Sequence, residues 1–370
     1  MNISSKFDHF AAGLAIFSMF FGAGNIVFPL ALGVHSLDQF PYALGAFLLT
    51  AVAMPFIGLF AMFFYQGQIK EFFGKLGRIP GFFLACVIIA LLGPFGSAPR
   101  CLVLAHSTLS MSFPNLSLVF FSAIACILIF LFVFKKTKLL SLMGYILSPF
   151  KVTLLAAIVC LGFWNAPAFA GSSSTASSLG HFFHGLKEGY NTMDLLAAFF
   201  FAPVILASLT QHGEEAQRDF RKFLIKSSCI GAILLAAVYF AFCYMSYLYS
   251  PELKGISSDK LLAAIAIKVL GPKAGLVVGI TVATSCLTTA IALIAAFTHF
   301  VHKEVFSEKI SYLPIIATSL LLTFFVTTLE FRGIAQLLSP ILEVFYPILI
   351  VLTFYNLYAL QQKNLIKNVS

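Results

Sequence analysis

The chain has 370 residues, of which 60% are hydrophobic and only 10% charged, against roughly a quarter charged in an ordinary soluble domain. So little charge cannot cover a water-exposed surface, which excludes a soluble globular fold. A mean hydropathy of +0.98 instead leaves room for many membrane crossings of about 20 residues, the length that spans hydrocarbon at helical rise. The net charge of +9 belongs to loops, which reads as topology rather than nucleic-acid binding.

Apolar runs bounded by charge, Pro/Gly clusters or turn residues predict ten spans, near residues 10–33, 41–65, 81–110, 115–134, 139–163, 190–210, 225–249, 274–301, 312–329 and 334–358. The first follows a single lysine, Lys6, and lacks a cleavage site, so it reads as a retained transmembrane helix. Within it, Phe20-Phe-Gly-Ala-Gly-Asn-Ile-Val-Phe-Pro29 interrupts an apolar helix with two glycines, an amide and a proline. A break at membrane depth is tolerated only where the freed backbone faces protein, water or ligand. Unwound carbonyls suit a cation or an ammonium, and the N-terminus of the resuming half-helix suits a carboxylate. Close helix packing through small residues is the competing reading.

The third span is long enough to be tilted or broken and carries Arg100, and the fifth carries Lys151. A lone cation in hydrocarbon costs at least about 2.5 kcal/mol, so each needs a partner. Between spans five and six, Gly171 to Ser178 is a low-complexity outer loop. It divides five spans (about 10–163) from five (about 190–358), with a linker at 164–189 and a tail at 359–370. An odd number of spans per half inverts one half relative to the other, the arithmetic of an inverted repeat.

Span six opens with Tyr190-Asn-Thr-Met-Asp194 and contains Ala202-Pro203. Pro203 has no N–H for the helix ladder and is expected to free the carbonyl of Phe199. Asp194 reads either as an interface or capping residue or as a contact to ligand or ion. A second outer loop, Ser250 to Lys273, has the pattern of a short helix over the outer face at Asp259–Lys268. Span eight carries Thr284-Ser-Cys-Leu-Thr-Thr-Ala290. Hydroxyl oxygens suit a hard cation such as Na⁺, although Ser and Thr also bond back to their own helix. In span ten, Glu343 is a candidate anion for Arg100 or Lys151, or a gating or proton-relay group.

With the N-terminus in the cytoplasm, fifteen of the 23 Lys and Arg fall inside and six outside, Arg100 and Lys151 lying within spans. This positive-inside bias puts both termini in the cytoplasm. The seven cysteines fall in apolar segments without ligand spacing and read as small buried residues. His181/His184 and His299/His302 lack a third ligand and read as surface histidines. No P-loop, HExxH or Gly-x-Ser-x-Gly pattern is present, so neither ATP-driven pumping nor an enzyme is supported.

The chain resembles the bacterial branched-chain amino acid:cation symporters of the amino acid, polyamine and organocation superfamily. The likeness runs through most of its length: Phe21 to Pro29, Gly93-Pro94 with Pro99-Arg100, Pro149-Phe-Lys151, Gly189 to Asp194, Cys286 to Ala290 and Tyr346-Pro347. It implies an all-α membrane protein, a five-plus-five inverted repeat of ten helices with helices one and six broken, in the bacterial cytoplasmic (inner) membrane. It implies import of leucine, isoleucine or valine by alternating access, with Na⁺ as coupling ion and no cofactor; H⁺ coupling through Lys151 or Glu343, an amino acid transporter of the same fold with another specificity, or a non-transporting sensor, are the alternatives.

By the same resemblance the substrate lies between spans one, three, six and eight, its charged ends meeting Gly22, Ala23, Gly24 and Asn25, with Phe199 and Ala202 at the pocket. Na⁺ is implied at the carbonyls near Ser18 and Phe21 and the hydroxyls of Thr288 and Thr289. Arg100, Lys151, Asp194 and Glu343 are the coupling or gating candidates. The chain departs from the family in having ten spans where members have twelve, in Cys101 and Ser107 where the pattern has threonine and glutamate, and in Ala202-Pro203 where a glycine is expected.

Overall fold

The computed structural model describes residues 3–134, 153–167, 177–210 and 220–369, and among them every regular element is helical. That follows from the solvent, because in lipid each backbone polar group must be satisfied within its own segment. The helices are α1 (Ile3–Phe20), α2 (Gly24–Ser36), α3 (Phe40–Leu48), α4 (Met54–Phe64), α5 (Ile69–Phe73), α6 (Arg78–Leu92), α7 (Ser97–Ser110), α8 (Leu118–Phe134) and α9 (Thr153–Trp164). They continue as α10 (Ser178–Asn191), α11 (Asp194–Thr210), α12 (Phe220–Leu248), α13 (Ser250–Leu253), α14 (Leu261–Leu270), α15 (Pro272–Phe300), α16 (Tyr312–Thr327) and α17 (Glu330–Val369). Among the described residues, six helical stretches are long and apolar enough to cross a membrane, and four shorter apolar helices accompany them. The molecule is a multi-pass membrane protein.

The outward surface states the same thing in side chains. On α8, Ser122, Ala125, Ile129 and Val133 are buried, three or four residues apart on one face. Phe120, Ile124, Ile127, Leu131 and Phe134 point outward and are exposed. Bulky apolar side chains facing outward suit hydrocarbon, where helices associate by close packing rather than by hiding apolar surface.

Three predicted spans are interrupted. The first divides at Phe21–Ala23 between α1 and α2, and the third at Gly93–Gly96 between α6 and α7. The sixth divides at Thr192–Met193, while α11 runs on through Pro203 to Thr210. The break therefore lies within the Asn-Thr-Met-Asp segment and not at the proline. Residues 178–189, expected as linker, are mostly helix, because Ser177 caps α10 by accepting from the Gly180 N–H at 3.2 Å. Thr153 onward carries the described part of the fifth span; Lys151 and most of the loop at 171–178 lie outside the described residues.

The interrupted helices form the centre. α1 and α2 pack on α12, α10 packs on α3, α11 on α4, and α7 on α15. Glycines set the closeness of two of these contacts: a Cβ on Gly33 would meet the Cys243 carbonyl oxygen at 2.0 Å, and one on Gly185 the Ala43 carbonyl oxygen at 2.1 Å. The predicted helix over the outer loop is α14, whose Leu261, Leu262 and Ile265 are buried against α15 and α2.

Candidate functional site

The break in the first span is written into its own residues. Gly22 and Gly24 are poor helix formers, and Asn25 supplies the backbone with an alternative partner. The Gly22 N–H, which in a continuous helix would bond four residues back, donates to Asn25 Oδ1 at 2.8 Å. Gly24 serves a second purpose. A Cβ there would lie 3.1 Å from the Thr192 carbonyl oxygen and 3.2 Å from its Cα, so the two breaks touch at this glycine.

The break in the sixth span is held by neighbours. Met193 adopts φ 63°, a left-handed conformation costing a non-glycine residue about 1–2 kcal/mol. The Thr192 hydroxyl donates to the Gly189 carbonyl at 2.8 Å and accepts from the Asp194 N–H at 3.4 Å. The Leu195 N–H donates to the Tyr346 hydroxyl at 3.3 Å, and the ring of Tyr346 stacks on Tyr190 at 4.5 Å.

Asp194 joins the two breaks. Its carboxylate, 2% exposed, accepts from Asn25 Nδ2 at 2.8 Å on each oxygen and from the Tyr239 hydroxyl at 2.6 Å. Asn25 Nδ2 also contacts the Tyr239 oxygen. A buried carboxylate needs such donors, and as the first residue of α11 Asp194 suits both a capping role and a contact to ligand or ion. Arg100 is equally buried. Its Nη1 donates to the Asn191 carbonyl at 2.8 Å and touches Met193 Sδ at 3.5 Å. Its guanidinium carbon stands 5.2 Å from the Phe28 ring centroid and 5.9 Å from that of Phe331, within cation–π range.

Residues of both breaks line one small cavity of about 40 Å³. Gly22, Ala23, Gly24, Asn25, Arg100, Asp194 and Thr289 line it, with Ala197, Phe201 and Leu293 as apolar wall. Thr289 faces the first break: its Cγ2 would lie 3.8 Å from a Cβ on Gly22. The Thr288 and Thr289 hydroxyls donate to the Ser285 carbonyl at 2.8 and 3.0 Å, bonding back to their own helix and keeping their lone pairs. Ser18, Phe21 and Thr288 are not among the lining residues.

Phe199 and Ala202 also lie off the cavity. Asp194, Ala197 and Phe201 are three and four residues apart and share one face of α11, and Phe199 falls on the opposite face at helical periodicity. There its ring packs against Phe72 at 5.0 Å and Phe73 at 5.5 Å. Glu343 is not the partner of Arg100, because it pairs with Lys187 at 3.1 Å on the half-exposed surface. His181 is buried rather than on the surface, and of the seven cysteines Cys160 and Cys229 are exposed. Among the described residues no His/Cys/Asp/Glu group has the makings of a metal site. Sequence reasoning missed Tyr239, and it quoted Tyr346 and Met193 only as members of motifs, without a role. Tyrosines inside apolar spans carry no local pattern, and only the need of Asp194 for a hydroxyl donor pointed toward one.

The family described as branched-chain amino acid transport protein matches residues 5–369. The chain is 29% identical over 352 residues to the branched-chain amino acid permease BrnQ of Bacillus subtilis (strain 168), covering 92% of this chain and 79% of that one. To the permease BraB of the same organism it is 27% identical over 354 residues, with 93% and 78% covered. Among solved structures it is similar to Mhp1 in an inward-facing conformation, with a TM-score of 0.64 at 11% identity over 96% of this chain and 77% of that one. That likeness is one of fold.

Proposed function

Since this chain belongs to the family of branched-chain amino acid transport proteins, we propose that it imports leucine, isoleucine and valine across the bacterial cytoplasmic membrane by Na⁺ symport. It is an amino acid transporter and not an enzyme. The observation that carries the finer reading is the meeting of two helix breaks at one cavity, with Asn25 of the first hydrogen-bonded to Asp194 of the second. Broken helices converging on a buried site are the usual form of a secondary-transporter binding site. Ala197, Phe201 and Leu293 offer a branched aliphatic side chain its apolar wall, and the backbone from Gly22 to Asn25 offers its charged ends carbonyl and N–H groups.

A five-plus-five inverted repeat of ten helices accounts for the packing. In that scheme the first helix is α1 with α2, the second α3 with α4, the third α6 with α7, the sixth α10 with α11, the seventh α12 and the eighth α15. The first packs on the seventh and the sixth on the second, exchanged partners, while the third and eighth pack on each other. Exchange of the halves leaves this set of contacts unchanged. The basic residues at the loops then place both termini in the cytoplasm.

For the ion, the reading takes the lone pairs of Thr288 and Thr289 together with the carbonyls near Ser18 and Phe21. Thr289 supports it by lying against the first break. Binding at that junction stabilises one arrangement of α1 and α2 relative to α15, and so couples the ion to alternating access. Uptake of radiolabelled leucine into proteoliposomes tests the proposal. It is expected to saturate, to stop when Na⁺ is replaced by choline, and to lose Na⁺ affinity in Thr289→Val without loss of folding. Uptake indifferent to Na⁺ and abolished by a protonophore assigns the coupling to protons instead.

A further inference from the structure

Two opposite charges line the cavity without pairing to each other. Arg100, on α7, and Asp194, at the head of α11, are each 2% exposed. Each is among the cavity-lining residues, and no ion pair joins them. Arg100 uses Nη1 on the Asn191 carbonyl and Met193 sulfur, while Nε and Nη2 have no hydrogen-bond partner among the described residues. Glu188, one turn before Asn191 on α10, acts on the guanidinium electrostatically but forms no ion pair with it. Asp194 accepts three contacts, two from Asn25 and one from Tyr239; the Thr192 hydroxyl also lies against it but gives its one proton to the Gly189 carbonyl, which leaves about one of roughly four lone-pair positions.

Buried N–H groups on a cation without an acceptor are expensive, and they persist in native structures where something else supplies the partner. The α-carbon of an amino acid carries a carboxylate and an ammonium side by side. A guanidinium edge presents Nε and a terminal nitrogen as a planar fork that matches a carboxylate bidentately. The remaining position on Asp194 matches one N–H of an ammonium.

We propose that Arg100 and Asp194 are the two charge poles of the substrate site, the free edge of Arg100 taking the α-carboxylate and Asp194 taking the α-ammonium. This rests on reading the cavity as the amino acid site. It adds to that reading the side chains that select a zwitterion over an amine, an amide or a fatty acid, with the unwound backbone left to orient it.

Ligand-induced thermal stabilisation of the purified full chain in detergent tests it, since binding is then read without transport, using leucine, leucinamide and 4-methylpentanoate. Arg100→Gln is expected to weaken leucine at least about tenfold and leucinamide, which has no carboxylate, less than about twofold. Asp194→Asn keeps the shape and is expected to weaken leucine about tenfold while leaving 4-methylpentanoate, which has no ammonium, within about twofold. If Arg100→Gln does not fold, Arg100→Lys carries the same comparison, because it keeps the charge and loses the fork. Equal losses for leucine and leucinamide in the Arg100 variant overturn its assignment. A changed Na⁺ affinity with an unchanged ratio of leucine to 4-methylpentanoate in Asp194→Asn gives that pole to the ion and overturns the ammonium assignment. Wild-type protein stabilised by no amino acid overturns the substrate reading, and this one with it, and is distinguished from the preceding outcomes by the wild-type measurement alone.

Discussion

At Phe21–Ala23 the chain leaves its helix through residues that favour leaving: glycines on either side of Ala23, and an asparagine whose side chain accepts the Gly22 N–H at 2.8 Å. At Thr192–Met193 it leaves through residues that do not. Met193 sits at φ 63° without being glycine, and the backbone is held by Thr192, by Tyr346 from α17 and by Arg100 from α7. The first break is specified locally and the second by tertiary contacts. A break of the second kind stores strain that its neighbours must overcome, so it is the one whose geometry changes when those neighbours move. The sixth span's break therefore responds to its neighbours, whereas the first span's break is carried by its own residues.

Removing the joint between the breaks has the largest expected effect. Asn25→Ala strips the Gly22 N–H of its acceptor and Asp194 of an amide donor, and is expected to destabilise the protein by about 3 kcal/mol and to abolish uptake. Thermal unfolding in detergent, alongside uptake in proteoliposomes, reads both. Stability within about 1 kcal/mol of wild type would mean that the glycines alone maintain the first break.

A glycine pair sharpens the comparison at the next level. Gly24→Ala places its Cβ 3.1 Å from the Thr192 carbonyl oxygen, next to the left-handed Met193, and is expected to cost about 1–3 kcal/mol. Gly22→Ala meets only the ordinary contacts of 3.6 Å to Asn25 Oδ1 and 3.8 Å to Thr289 Cγ2, and is expected to change stability by less than about 1 kcal/mol. The reverse order of melting temperatures would show that the breaks do not bear on each other at Gly24. Tyr346→Phe acts on the second break alone. It removes the acceptor of the Leu195 N–H at a cost of about 1 kcal/mol, and a melting temperature equal to wild type would remove Tyr346 from the contacts that hold it.

The same contrast explains what was legible in the sequence. Phe20 to Pro29 announced its break because glycine, asparagine and proline act through their own backbone and side chain. The sixth span misled at Pro203, since a proline early in an apolar run looks like the cause of a break, whereas the helix passes through it and the interruption falls at Met193. No propensity flags a methionine in left-handed backbone. Arg100 and Asp194 stood out as charges in apolar segments, but what they meet, Asn191 and Tyr239, depends on helices distant in sequence. The third span's interruption at Gly93–Gly96 was signalled by the length of its run and by the glycines themselves. Phe199 and Ala202 were placed at the pocket on resemblance, and helical periodicity from Asp194 sets at least Phe199 on the other face.

Glu343 marks the edge of this network, where contacts face water and the expected effect is smallest. Its ion pair with Lys187 joins α17 to α10, just outside the second break, at 3.1 Å with side chains 38% and 52% exposed. Exposed pairs of this kind contribute about 0–1 kcal/mol once screening and side-chain entropy are counted. Glu343→Gln is therefore expected to shift stability by less than about 1 kcal/mol and to leave amino acid uptake within about twofold of wild type. Measuring uptake under imposed Na⁺ and pH gradients separately makes the result decisive. A variant that has lost uptake driven by a pH gradient while folding normally would give Glu343 the proton-relay role open to it from the sequence. Responsiveness of the sixth span would then extend outward to α17, through the same helix that supplies Tyr346.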